Sequence, residues 1–327
     1  MDPDVLRRVL VLIDQPTLVT CCLASKVLHK TLTRPGVWKC ATVHKPSAAA
    51  AACISTLQST YVTVVCSDVC GVEEFMRELD APVRRLSVSL YPEPDKVPRS
   101  CQIGTLAARF ASTLEELVIE WGSIPFAVGL VFEESLPHLH ELRVIEEGPD
   151  PLRRVEVYFH AEMPRLRNVH LRVMTSDILA HTPRMKSLKH VRYESGDELY
   201  EDSTLEGVSL DSLYLNAGSR VEWTYLSSAI ARAASIKQLT LLCSCPFELD
   251  TRLPVRDMCL RVTQSTSLVL SLTAARAMES LVVLNSGSCN GWTVRFTECG
   301  SWDRFMMFLK NTDVYVGRYG VEVTVEF

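Results

Sequence analysis

Ten times between Val83 and Val283 the chain repeats one small figure, an apolar residue followed three and five positions later by two more. It stands as "VRRLSV" (Val83, Leu86, Val88), "LEELVI" (Leu114, Leu117, Ile119), "LHELRV" (Leu139, Leu142, Val144), "LRRVEV" (Leu152, Val155, Val157) and "LRNVHL" (Leu166, Val169, Leu171). It continues as "LKHVRY" (Leu188, Val191, Tyr193), "LDSLYL" (Leu210, Leu213, Leu215), "IKQLTL" (Ile236, Leu239, Leu241), "VRDMCL" (Val255, Met258, Leu260) and "MESLVV" (Met278, Leu281, Val283). Side chains on a strand change face at every residue, so the last two apolar residues of each copy share one face. From Val169 onward the central residues lie 22, 22, 26, 19 and 23 positions apart, room for a strand, a turn and a return segment. No single copy can bury its own apolar face, so the copies must stack as neighbouring parallel strands.

The segments around the copies fit this reading. "GTLAARFAST" and "TYLSSAIARAAS" have helical composition and suit the return path. "HKPSAAAAACISTLQ" predicts a helix that Ser47 can cap. The closing "SWDRFMMFLKNTDVYVGRYGVEVTVEF" combines an amphipathic helix, a glycine turn and the alternating Val321, Val323 and Val325. It suits the task of shielding the open end of a stack. Leu142, Val155 and Val169 are only 13 and 14 residues apart, which predicts a hairpin or an insertion for one copy there.

The first forty residues have another texture. Asp2-Pro3 starts a helix, with a capping carboxylate ahead of a proline whose missing amide hydrogen costs nothing there. Val5, Leu6, Val9, Leu10 and Ile13 then form one stripe. A second start comes at Asp14-Gln15-Pro16, and a third helix from Ser25 carries Val27, Leu28 and Leu32 before Pro35-Gly36 ends it. Three helices this short leave apolar surface that another polypeptide must cover.

On Pro3, the Val5-Leu6 pair, Leu10, Asp14-x-Pro16, Leu18, Leu23, Lys26, Leu32, Pro35 and Trp38, this segment resembles an F-box, the module that docks onto the Skp adaptor of cullin-based ubiquitin ligases. With the repeats behind it, the whole chain resembles F-box proteins with leucine-rich repeats. The resemblance implies an α/β fold: a three-helix F-box at residues 1–45, then a degenerate leucine-rich-repeat solenoid at 46–327, with a curved parallel sheet and a carboxy-terminal cap. It also implies that Pro3, Val5, Leu6, Leu10, Pro16, Leu18, Leu23, Leu32, Pro35 and Trp38 bind the adaptor, and through it a cullin. The chain would then be a substrate receptor that works by proximity, without catalysis or a cofactor of its own. A repeat scaffold outside any ligase is the alternative. At the position three beyond the last strand anchor, where the family tends to place Asn or Cys, this sequence has Gly122, Met174, Gly218 or Ser244.

Residues alternating with the anchors point away from the core. One outward row reads Val118, Arg143, Glu156, His170, Arg192, Tyr214, Thr240, Cys259 and Val282; the next reads Glu120, Ile145, Tyr158, Arg172, Glu194, Asn216, Leu242, Arg261 and Leu284. Arg143, His170, Arg172, Arg192, Tyr214, Asn216, Leu242 and Arg261 are the candidate contacts for a protein target, because guanidinium groups pair with carboxylate or phosphate and the leucine end offers an apolar anchor.

Composition excludes other classes. The net charge of -5 argues against nucleic acid, and no apolar run approaches the roughly 20 residues of a bilayer span. "VLRRVLVLI" has arginines inside it and reads as an amphipathic helix rather than a secretion signal. Twelve cysteines without secretory context, including Cys40, Cys53, Cys66 and Cys259 in apolar runs, suggest small hydrophobes in a reducing compartment, cytosol or nucleus. No GxSxG, HExxH, GxGxxG or phosphate-loop motif occurs. The "CSC" at 243–245 and "HLH" at 138–140 each lack a second pair of metal ligands. Glu133-Glu134 and Glu146-Glu147 are expected in solvent before turns.

Overall fold

The computed structural model describes residues 39–93, 100–147, 154–195, 204–217, 220–244, 246–263, 267–275, 278–285, 292–317 and 321–325. They form two compact units, one ending at Leu166 and one beginning at Arg167. The helices expected in residues 1–38 lie outside the described residues.

The first unit opens with β1 (Cys40–Val43), inside the stretch assigned from sequence to the helical module. Helix α1 (Ala48–Leu57) follows, and Ser47 caps it by accepting the Ala50 amide at 3.3 Å. Next come β2 (Tyr61–Cys66), α2 (Val69–Glu78), β3 (Arg85–Leu90), β4 (Ser100–Cys101) and α3 (Ile103–Leu106). β5 (Glu116–Trp121), β6 (Val128–Phe132), β7 (Glu141–Glu146) and β8 (Val155–Phe159) complete it. β1, β2, β3, β5 and β7 pair in parallel in that order, and β4, β6 and β8 form a second parallel sheet.

The register explains the sequence motif. Val62, Leu86, Leu117 and Leu142 are cross-strand neighbours, as are Val64, Val88, Ile119 and Val144, and all are sealed from solvent. At each strand start one carbonyl of the preceding strand takes two successive amides. Lys39 O accepts from Thr60 and Tyr61, Thr60 O from Arg84 and Arg85, Arg84 O from Glu115 and Glu116, and Glu115 O from His140 and Glu141. Past the strand ends, the Tyr91, Gly122 and Glu147 amides reach the carbonyls of Cys66, Leu90 and Trp121. Main chain thus satisfies the turn groups at these strand ends.

Two expectations are corrected here. The "LRRVEV" copy is neither hairpin nor insertion: β8 runs parallel to β6 in the second sheet, and Phe159 stacks on Phe132 at 5.4 Å. Glu156 and Tyr158 therefore leave the outward rows of the main sheet. Glu146 is also not solvated; it is buried and accepts the Arg154 and Val155 amides at 2.5 and 2.9 Å. A carboxylate thus sits on the core row after Leu90 and Trp121, because the start of β8 supplies its donors.

The second unit contains β9 (Asn168–Val173), β10 (Thr175–Ser176), α4 (Ile178–His181), β11 (His190–Ser195), β12 (Ser209–Ala217) and α5 (Arg220–Ala231). It continues with β13 (Ser235–Cys243), β14 (Phe247–Leu249), β15 (Val255–Val262), β16 (Ser267–Ser271), α6 (Leu272–Ala275), β17 (Ser280–Asn285) and β18 (Trp292–Thr297). Helix α7 (Trp302–Asn311), β19 (Asp313–Gly317) and β20 (Val321–Val325) close it. β9, β11, β12, β13, β15, β17 and β19 form one open parallel sheet, and β14, β16, β18 and β20 another. Val169, Val191, Leu213, Leu239, Met258 and Leu281, the residues spaced 22, 22, 26, 19 and 23 apart, are direct neighbours across the sheet. A return through a helix or through a second-sheet strand uses a different number of residues, which is why the spacing varies while the register holds. The chain is a mixed α/β protein of open parallel sheets, and among the described residues no helix is long and apolar enough to cross a membrane.

The cysteines divide. Cys101, Cys243 and Cys299 are buried, whereas Cys40 and Cys53 are exposed rather than packed as small hydrophobes. Burial pushes the Cys101 thiol up to about 12. Native alkylation at mildly alkaline pH, followed by peptide mapping, should label Cys40, Cys53 and Cys70 and spare Cys101 until denaturant is added. Leu241 sits fully buried on the core ladder; Leu241→Ala should cost about 2–5 kcal/mol in urea unfolding.

Candidate functional site

The outward face of the second unit's main sheet collects seven of the eight candidate target contacts. Each strand buries one set of side chains, such as Val191 and Tyr193, and turns the alternate set outward. The parallel register then lines the outward residues into rows. His170, Arg192, Tyr214, Thr240, Cys259, Val282 and Tyr315 occupy one row. Arg172 pairs in register with Glu194, and Asn216, Leu242, Arg261 and Leu284 follow one another on the next strands. Arg143 belongs to the first unit, next to Val118 in register, and its guanidinium is held by Glu141 of its own strand.

The face is graded. At β9 and β11 it is charged: Arg192 donates from Nε to Glu194 at 2.7 Å, and its guanidinium lies 4.6 Å from the centre of the Tyr214 ring. The Glu194 carboxylate is also 3.8 Å from His170 Nε2. Further along, Leu242, Val282, Leu284 and Tyr315 make it apolar and aromatic, with Arg261 exposed among them.

Two nitrogens at the charged end stand out. His170 Nε2 and Arg172 Nε are shielded from water and have no hydrogen-bond partner among the described residues. A shielded donor without an acceptor costs about 1–3 kcal/mol, so an anionic or carbonyl oxygen arriving at Arg172 Nε would regain that energy, and the His170 ring nitrogen would join as a second donor in the form that carries a proton there. Glu194 moderates the cluster by neutralising Arg192, which leaves Arg172 as its cation without an ion pair among the described residues.

The strand that carries Tyr315 has no signal in the repeat motif. Val314 and Val316 take the last two anchor positions of β19, but Asn311 stands where the first apolar residue would be. Only the register with Leu281 and Val283 assigns Tyr315 to the row. The adaptor candidates Pro3, Val5, Leu6, Leu10, Pro16, Leu18, Leu23, Leu32, Pro35 and Trp38 lie outside the described residues.

No group of three or more His, Cys, Asp or Glu among the described residues could hold a metal ion, and His138 of the "HLH" segment instead meets Arg165 at 3.1 Å. A concavity of about 430 Å³ in the second unit is lined by Trp223, Ser227, Arg232, Glu248 and Asp250, on α5, β14 and the turns after them.

Strand alternation predicts opposite outcomes for neighbouring residues. Arg192 is exposed and its ion pair screened, so Arg192→Ala should shift the thermal midpoint by less than about 2 °C. Tyr193 is buried, with its hydroxyl accepting the Ser176 amide at 2.8 Å. Tyr193→Phe should cost about 1–3 kcal/mol in the same measurement. Comparison of the chain with protein-family models and with curated proteins found no match in either.

Proposed function

We propose that the chain is the substrate receptor of a Skp-cullin-F-box ubiquitin ligase: its first three helices hold the adaptor, and its leucine-rich-repeat sheet presents a target. The observation that carries this reading is the graded outward ladder of the second unit. Seven strands hold two rows of side chains in fixed register on an open face, with the Arg172 Nε that lacks a hydrogen-bond partner among the described residues at one end and leucines at the other. Such a face suits an extended target segment bearing acidic residues ahead of apolar ones. The carboxylates would meet Arg172 and His170, and the apolar side chains would meet Leu242 and Leu284.

The ligase half of the proposal is supported by the amino-terminal residue pattern, in which Pro3, Leu10, Leu18 and Leu32 fall at F-box spacing. The mechanism is tethering. A target held beside a charged ubiquitin-conjugating enzyme meets it at high effective concentration, and the receptor supplies no nucleophile. Cytosol or nucleus, where such ligases work, is the proposed location.

Co-expression with a Skp adaptor tests it. The intact chain should capture the adaptor as a known F-box protein does. A Leu10→Asp, Leu18→Asp variant should lose at least about 90% of it, since two charges would be buried at an apolar interface, while keeping the circular dichroism and unfolding midpoint of the repeats. Failure of the intact chain to retain adaptor would favour the free-standing scaffold.

A further inference from the structure

Five of the eight exposed large apolar side chains among the described residues fall between Trp302 and Tyr315, on α7 and β19. Helix α7 buries Phe305 and Phe308 against Phe296, at 5.4 and 6.3 Å between ring centres. One flank of the helix, with Arg304, Met307 and Asn311, faces Leu272 and Thr273 of α6 across a groove of about 370 Å³. Trp302, Met306 and Leu309, spaced as i, i+4 and i+7, share the opposite flank. They are 58, 45 and 36% exposed, and they face the side on which another repeat would stack.

The sheets end on the same note. Among the described residues, β19 and β20 are the outermost strands of their sheets. Val314 and Val316 continue the core rows of Leu281 and Val283, yet both are only half-buried. The expected cap is therefore another turn of the repeat, with a greasy outer side. An outer face must be polar to stay alone in water, and the outer side of α7 and β19 is apolar.

We propose that this end docks onto the same end of a second copy of the chain, in a two-fold arrangement with the α7 helices antiparallel. The charges on the exposed ridge specify the occupant. Asp303 and Lys310 are both exposed, seven residues apart, and so lie on the same line along the helix. An antiparallel copy placed about an axis at Met306 sets Asp303 of each chain opposite Lys310 of the other. The same axis sets Trp302 against Leu309. An isologous interface demands this self-complementarity, and a single helix provides both halves of it.

Light scattering and sedimentation of the full chain over a wide concentration range test the proposal, and it does not rest on the adaptor reading. The measurements are repeated in the Leu10→Asp, Leu18→Asp background so that association through the first helices is not counted. A concentration-dependent dimer is expected. Asp303→Lys or Lys310→Asp alone turns two attractions into two repulsions and should raise its Kd about tenfold. The double swap should return it to near the original value, and the two single variants mixed should pair with each other. If the swaps acted only by placing wrong charges at the helix ends, the double variant would be the worst of the three. A monomer at every concentration, a dimer indifferent to the swaps, a double variant without recovery, or capture of a different protein in place of a second copy overturns the proposal.

Discussion

One main-chain bond recurs through the first unit and governs what its sequence is allowed to do. The carbonyl that ends one connection accepts both amides that open the next strand, from Lys39 to Thr60 to Arg84 to Glu115. Parallel strands tied at the same point cannot slip by a residue, and a one-residue slip would turn every core side chain outward. Arg167 and Lys189 repeat the arrangement in the second unit, for Lys189-His190 and Asp211-Ser212. Because the bond is made by backbone, the side chains at those positions are free to vary, and Lys, Thr, Arg and Glu all occur there. Degenerate repeats can persist under these conditions.

The same constraint produces the candidate site. A fixed register gives the outward rows for free: once Val191 and Tyr193 are committed to the core, Arg192 and Glu194 must face out beside His170, Arg172 and Tyr214. The cluster then tunes itself by short-range electrostatics. Glu194 holds Arg192, and Arg192 lies over Tyr214, so at this end of the face Arg172 is the cation without an ion pair among the described residues. A surface ion pair of this kind adds little stability.

Most of the sheet was legible in the sequence because its determinant is a local pattern. Nine of the ten motif copies, all but "LRRVEV", supply main-sheet strands, and their anchors are the residues found side by side. Misreadings have physical causes. "LRRVEV" has the same alternation but lies in the second sheet, since period-2 apolar spacing says that a strand is half-buried without saying which sheet owns it. β2 and β19 carry no full copy of the motif, because polar residues, Ser59 and Asn311, occupy the first anchor position. Ser59 is wholly buried, and its hydroxyl has no hydrogen-bond partner among the described residues, a cost that no single-residue rule anticipates. The burial of Glu146 depended on amides eight and nine residues away.

The motif also bears on the boundary between the amino-terminal helices and the sheet. Trp38, Ala41 and Val43 reproduce its spacing of three and five, and Ala41 and Val43 are buried core residues of β1. The same tryptophan that completes the F-box pattern thus also stands where the first strand's leading anchor belongs. Ala41 and Val43 lie in register with the buried Val62 and Val64 of β2. The core ladder therefore already runs through the stretch that the sequence pattern assigns to the helical module, because a strand is claimed by whichever neighbour completes its hydrogen bonds rather than by the composition of the residues before it.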